Sequence, residues 1–302
     1  MMYKKEYKNY SNPTLRNEGV FYYENTAVPF FMRLAVHRRL DCSQTGVILL
    51  KKTYYFFKKK SVIYNEVLAD SDVFEKFYEI ENGKKAQLIV IPDGSVDIQC
   101  VWKNGQMSAY ICGSVMNGMV SRVNGYDKCF GARFRVGVLP GELREHLDII
   151  MDNRILLNTV LDIPQMDAYL KEELYLEQKA DIMLKLFEHE SVAAENTLIT
   201  YLVKEIEKKK GHVLVSELVD TTGYSHRYAN HVFKTNVGCS IKKYAGIIRL
   251  QESLACLMNQ DDDAIYSELG YYDQAHFIKD FKNFTASTPS VFKKNSGKFM
   301  VV

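Results

Sequence analysis

Arg227, Asn230, His231 and Lys234 recur at steps of three and four residues, so on a helix they share one face. That face carries hydrogen-bonding groups and no carboxylate. An arginine fork fits guanine O6 and N7, an asparagine amide fits the adenine edge, and a lysine suits a phosphate. A helix face with no task beyond meeting water ordinarily mixes Glu or Asp among its cations. Further along, Gln274, Lys279 and Lys282 form a second outward face, on which Ala275 and Ile278 suit thymine methyl groups.

These faces must be positioned by a pattern that occurs twice. Gly223-Tyr224-Ser225-His226-Arg227 leads to Val232-Phe233-Lys234 and then Gly238-Cys239-Ser240-Ile241. Gly270-Tyr271-Tyr272-Asp273-Gln274 leads to Asp280-Phe281-Lys282 and then Ala286-Ser287-Thr288-Pro289. In each copy a glycine makes the turn and Ser225 or Asp273 caps the next helix. Ala229, Val232 and Phe233, or Phe277 and Phe281, then face inward. Residues 215–221 supply the short helix before the first turn. His276 suits either packing or a phosphate contact. A helical pattern over 241–259 joins the two units. At ~1.5 Å per residue it spans about 28 Å, close to the ~34 Å repeat of B-DNA. One rigid connector of that length can set two reading helices into successive major grooves. Asp261-Asp262-Asp263 reads as the end of the connector and the cap of the next helix, rather than a metal site.

This layout, with Tyr-Ala-Asn-His-Val-Phe-Lys at 228–234, Phe-Ile-Lys-Asp-Phe-Lys at 277–282 and Thr-Pro-Ser-Val-Phe-Lys at 288–293, resembles the DNA-binding domain of the AraC/XylS family of transcription regulators. The resemblance covers about residues 195–295. It implies seven helices, a monomer able to span two grooves, RNA polymerase as a partner, and regulation at promoters, most often activation. The family's base-contacting positions fall on His226, Arg227, Asn230, His231, Gln274, Ala275 and Lys279; Lys234 and Lys282 add phosphate contacts from the reading of the faces. The chain departs from the family pattern at several points. Val219 and Tyr266 stand where a small residue is usual. Ala286 replaces the glycine after the second reading helix, and His231 and Lys279 occupy positions where Arg is common.

The first two-thirds of the chain read differently. Residues 46–57, 87–91, 96–102 and 107–113 are short β-rich segments punctuated by Pro92-Asp93-Gly94, Lys103-Asn104-Gly105 and Asn117-Gly118. Asn104-Gly105 is a hairpin signal. Residues 1–25 read as an irregular arm, and 71–78 as a short helix between strands. A helical period begins at Leu143, Leu147 and Ile150, Pro164 interrupts it, and 165–210 reads as almost continuous helix, with a joint at 191–196. The expected class is α+β: a β-rich, barrel-like domain (cupin-like among its options) with following helices, then an all-α domain of two helix-turn-helix units. The division is a sensory or dimerisation domain over 1–190 and a DNA-binding domain over 195–296.

Ile91-Pro92-Asp93-Gly94, Cys112-Gly113 and Gly131-Ala132-Arg133-Phe134-Arg135 are also similar to the sensory domain of a subset of these regulators, over roughly 85–190. Arg133 and Arg135 alternate about Phe134, so on a strand they share a face. If that face is interior they require an anion, a carboxylate partner or Asp97. Asp93, Asp97, Arg133 and Arg135 are therefore the candidate effector-binding residues, in a pocket lined by some of the many Tyr and Phe. A small-molecule effector and a second copy of the chain join double-stranded DNA as expected partners.

Other classes are disfavoured. No apolar run approaches the ~20 residues of a membrane span, and the first residues lack the apolar stretch of a signal peptide, so a cytoplasmic location is expected. The net charge is +2 overall, and the surplus falls in the last third, which is weak support for nucleic acid by itself. No Gly-x-Ser-x-Gly, phosphate loop, dinucleotide fingerprint or His-Glu-x-x-His motif occurs; no catalytic residue, metal or cofactor is expected, and the chain reads as no enzyme. The six cysteines form no Cys-x-x-Cys pair and read as buried reduced thiols. Lysines 51, 52 and 58–60 around an aromatic strand read as gatekeepers against edge pairing. Control by redox state or by a protein partner, and an enzyme fused to a DNA-binding domain, are the alternatives.

Overall fold

The computed structural model describes residues 37–40, 55–57, 63–81, 87–117, 119–122, 128–187, 197–258, 270–296 and 300–301. The arm 1–25, the flanking lysines, Cys42, the joint 191–196, Asp261–Asp263 and Tyr266 lie outside these residues. In chain order the strands are β1 (His37–Leu40), β2 (Tyr55–Phe57), β3 (Ile63–Leu68), β4 (Phe74–Glu81), β5 (Gln87–Val90), β6 (Asp97–Lys103), β7 (Gln106–Cys112), β8 (Met119–Arg122), β9 (Lys128–Phe134), β10 (Arg154–Leu156) and β11 (Met300–Val301). They form two antiparallel sheets. One has the order β1-β3-β4-β9-β6-β7-β10 and the other β11-β2-β5-β8. The β6–β7 hairpin turns on Asn104 and Gly105, both at positive φ (52° and 75°), as Asn-Gly leads one to expect.

The chain is thus α+β, with a β-rich N-terminal region and, among the described residues of 197–296, an all-α region. Closure of the sheets into a barrel is not seen among the described residues. The segment 71–78 is a correction: its main part is strand β4, paired on both sides by β3 and β9. A central strand buried on both faces has apolar residues in a dense run. Phe74, Phe77, Tyr78 and Ile80 therefore imitate helical steps.

The helices are α1 (Gly141–Glu145), α2 (Leu147–Ile150), α3 (Met166–Tyr169), α4 (Leu176–Leu186), α5 (Thr197–Lys208), α6 (Val215–Asp220), α7 (His226–Val237), α8 (Ile241–Met258), α9 (Gln274–Thr285) and α10 (Pro289–Ser296). The expected continuous helix over 165–210 is therefore broken, since Leu170 turns extended after α3. The break exposes a carbonyl that has a use. Lys179 of α4, fully buried, donates to Glu172 O (3.1 Å) and to Glu79 Oε1 (2.7 Å) and lies over the Trp102 ring. Burial pushes its amine below the ordinary lysine value. The pair ties α4 to the sheet, while Ala180, Met183 and Phe187 cover Phe74, Phe134 and their neighbours. Each large apolar side chain so buried contributes about 1.5–3 kcal/mol.

Three apolar cores result. One joins the large sheet to α1–α4, one joins α5–α7 to the first half of α8, and one joins the second half of α8 to α9 and α10.

Candidate nucleic-acid interface

The first reading helix, α7, is started and stopped by its own sequence. Ser225 Oγ accepts the Tyr228 N–H (3.2 Å), and Gly238 ends the helix at φ 85°. Ala229 and Phe233 are buried against α5, α6 and α8, with Val232 partly buried beside them. This packing leaves His226, Arg227, Asn230, His231 and Lys234 exposed.

The second helix, α9, follows the same logic. Asp273 Oδ1 accepts the His276 N–H (2.7 Å), and Phe277, Phe281 and Phe284 are buried. Gln274, Ala275, Lys279 and Lys282 are exposed, and so is Ile278. His276 sets its ring edge-on to Tyr271 at 5.4 Å while remaining exposed. α8 runs 18 residues between the units, about 27 Å at ~1.5 Å per residue. All nine candidate DNA-contacting residues therefore lie on exposed surface, on two similarly built units.

Two of the nine also have local tasks. His226 Nε2 lies 2.9 Å from Asp220 Oδ1 at the end of α6, tying the two helices of the first unit. Asn230 Oδ1 accepts the Ile241 N–H (3.3 Å) at the start of α8. Sequence reasoning passed over Tyr228, half-exposed and stacked on Tyr224 at 5.1 Å beside the start of α7. Their i, i+4 spacing was the available signal. It also passed over Tyr272, which is 93% exposed next to the Asp273 cap.

Ala286 sits at φ 55°, the left-handed conformation that glycine adopts at the corresponding Gly238. A β-carbon is strained there. Ala286→Gly is expected to stabilise the domain by about 0.5–1 kcal/mol, read as a raised urea midpoint at unchanged slope.

The four candidate effector residues separate. Arg133, Asp97 and Asp93 come together as a buried cluster. Arg133 Nε and Nη2 donate to Asp97 Oδ1 and Oδ2 (2.8 and 2.9 Å), and Nη1 meets Asp93 Oδ2 at 2.9 Å. Tyr78 OH adds a bond to Asp97 Oδ2 (2.9 Å) and accepts one from Gln99. Burial pushes the Asp93 carboxyl above its ordinary value; the Arg133 charge opposes that shift and the Asp97 charge adds to it. Arg135 is a correction to the shared-face expectation. β9 ends at Phe134, the chain leaves the sheet, and Arg135 is exposed with its Nε donating to Ser71 O (2.7 Å).

Four of the thiols are quiet. Burial pushes Cys100, Cys112 and Cys239 up to about 12, and Cys129 also upward. The thiolate is the reactive form. Iodoacetamide at pH 8 should leave all four unmodified in the native chain, as read by peptide mass mapping; fast labelling of any one would reopen redox control.

A helix-turn-helix domain family model matches residues 218–295. The chain is similar to the probable transcription factor PqrA of Proteus vulgaris, 26% identical over 102 residues, 33% of this chain and 83% of that protein. It is 27% identical over 104 residues to an HTH-type transcriptional regulator of Haemophilus influenzae, covering 33% of this chain and 35% of that one. Apo ToxT from Vibrio cholerae is 12% identical, with a TM-score of 0.36 over 78% of this chain and 97% of that one, a likeness too low to carry an argument. Two capped helices, the connector between them and the family match agree that residues 218–295 form a helix-turn-helix domain, similar to those of these transcriptional regulators.

Proposed function

We propose that the chain is a sequence-specific regulator that sets α7 and α9 into successive major grooves of one duplex. The observation that carries this reading is the pair of exposed, carboxylate-poor faces on similarly built units. Arg227, Asn230 and His231 read bases from α7, with His226 at its rim and Lys234 on phosphate. Gln274, Ala275 and Lys279 read from α9, with Lys282 on phosphate. His231 and Lys279 replace the arginine fork with poorer guanine readers, so the operator differs from those of arginine-bearing relatives. The division of labour follows residues 1–190 and 195–296, supported by the change of core between Phe187 and Leu198. RNA polymerase is the partner at the promoter, and a second copy binds through the N-terminal domain.

The β-rich region is the sensor, closing around a small effector in a barrel-like pocket. Asp93, Asp97 and Arg133 already satisfy one another, so an anionic effector reaches Arg133 only by displacing a carboxylate. Arg135 stands outside that cluster at the surface.

Selection of bound duplexes from a random pool, with and without small-molecule extract, tests both parts. A bipartite consensus with halves one helical turn apart is expected. Recovery of no consensus removes the DNA reading. An extract that changes neither selection nor thermal midpoint removes the effector.

A further inference from the structure

The turn Ile91-Pro92-Asp93-Gly94 belongs to the β-rich region, yet it touches both helix-turn-helix cores. Ile91 is 2% exposed and packs with Ile247, Leu250 and Leu254 in the core of the second unit. Pro92 O accepts a hydrogen bond from Gln251 Nε2, a buried side chain of α8. Gly94, at φ 76°, lies flat against the Tyr244 ring; a β-carbon there would stand 2.6 Å from Tyr244 Cε2. Tyr244 belongs to the core of the first unit. It packs on Phe233 and donates its hydroxyl to Glu207 Oε1 (2.8 Å). Tyr244 and Gln251 are seven residues apart, two turns along one face of α8.

The turn is itself rigid. The Asp93 and Gly94 N–H groups donate to Ser114 Oγ, the Ser95 N–H donates to Asp93 Oδ1, and Arg133 holds the other carboxylate oxygen. Nearby, Met151 packs on Gly238 and Arg144 Nη1 reaches Asn236 Oδ1 (3.4 Å), so the same region also holds the end of α7. Met116 packs against all three cores.

We propose that the Ile91–Gly94 turn is a positioning element for two-site recognition. Seated across α8, it fixes how the two cores ride on that helix, and so the spacing and phase at which α7 and α9 meet DNA. Ile91, Pro92, Gly94 and Gln251 touch no DNA in this arrangement. They act through Tyr244 and the α8 backbone. The proposal rests on the DNA-binding reading above and adds a means by which the sensor's state alters it: whatever shifts Arg133 or Asp93 shifts the seat.

The test uses the full chain and the duplex that the wild type selects from a random pool. It adds that duplex with one base pair inserted or removed between the footprinted halves, and each half with the other scrambled. An inserted pair rotates the halves by roughly 34°. The wild type is expected to lose about tenfold in affinity on either altered spacing. Gln251→Leu and Gly94→Val should keep single-half affinity within about twofold, lose affinity for the intact duplex, and separate the spacings by about threefold or less. Should Gly94→Val fail to fold, as judged by circular dichroism, Gln251→Leu decides. Variants that retain the wild-type spacing discrimination, or that lose affinity equally on halves and whole, overturn the proposal. A wild-type chain that selects no duplex overturns the DNA reading, and this proposal with it.

Discussion

Arg227→Ala is expected to lower affinity for the selected duplex by about 1–3 kcal/mol, roughly 5- to 150-fold, and to relax preference at one base position. Arg227 is exposed on the outward side of α7, whose orientation is fixed by Ala229 and Phe233 beneath it. Removing its side chain therefore leaves the scaffold intact and deletes one bidentate reader. Lys234→Ala, near the end of the same helix, should behave differently. It should weaken every duplex alike and lower the slope of log affinity against log salt by about one. Fluorescence anisotropy on the selected duplex and on its single-base variants, at several salt concentrations, separates the two signatures. If both variants match the wild type, α7 is not in the groove. Asn230→Ala is a harder experiment to read, because Asn230 also holds the start of α8 through the Ile241 N–H.

What could be read from sequence follows from the range of the interactions concerned. Ser225, Asp273, Phe233 and Phe281 act within their own helix or on the next, so spacing along the chain reveals them. The helix-turn-helix units were therefore legible down to their caps. Ala286 was legible as well, because a position after a helix end demands its φ whatever surrounds it. The strand β4 was not, because pairing on both sides buries both of its faces and erases alternation. The shared face of Arg133 and Arg135 failed because it assumed the strand continued one residue further than it does. Lys179 looked like an ordinary helix lysine. Its partner Glu79 is 100 residues away, a distance over which local pattern carries no information. The seating of Ile91–Gly94 on Tyr244 and Gln251 was invisible for the same reason. Sequence marked Pro92-Asp93-Gly94 as a turn and could not say what the turn rests on.

The buried cluster beneath that turn should be the most sensitive point of the β-rich region. Arg133 is 2% exposed and neutralises two carboxylates that have little access to water. Arg133→Met keeps the apolar volume and leaves Asp93 and Asp97 facing each other without a cation. Breaking a buried ion pair from one side costs about 3–5 kcal/mol, and at ~2–4 °C per kcal/mol for a unit of this size the melting midpoint should fall by roughly 6–20 °C. Asp93→Asn should be far milder, since Arg133 keeps both bonds to Asp97 and an Asn oxygen can still accept from the Ser95 N–H. Adding Asp93→Asn and Asp97→Asn to Arg133→Met should recover much of the loss, because the repulsion is then gone. The pH dependence has a definite sign. Burial raises the Asp93 carboxyl above its ordinary value of 3.8, so the folded chain binds that proton more tightly than the unfolded chain. The contribution is complete below the ordinary value and is lost as pH rises through the raised one. The midpoint of the wild type relative to Asp93→Asn should therefore increase as pH is lowered across that window, measured by calorimetry in matched buffers. An opposite slope would mean that Arg133 outweighs burial at this carboxyl. The turn would then rest on the charged Asp93–Arg133 pair, and protonation of Asp93 would weaken it.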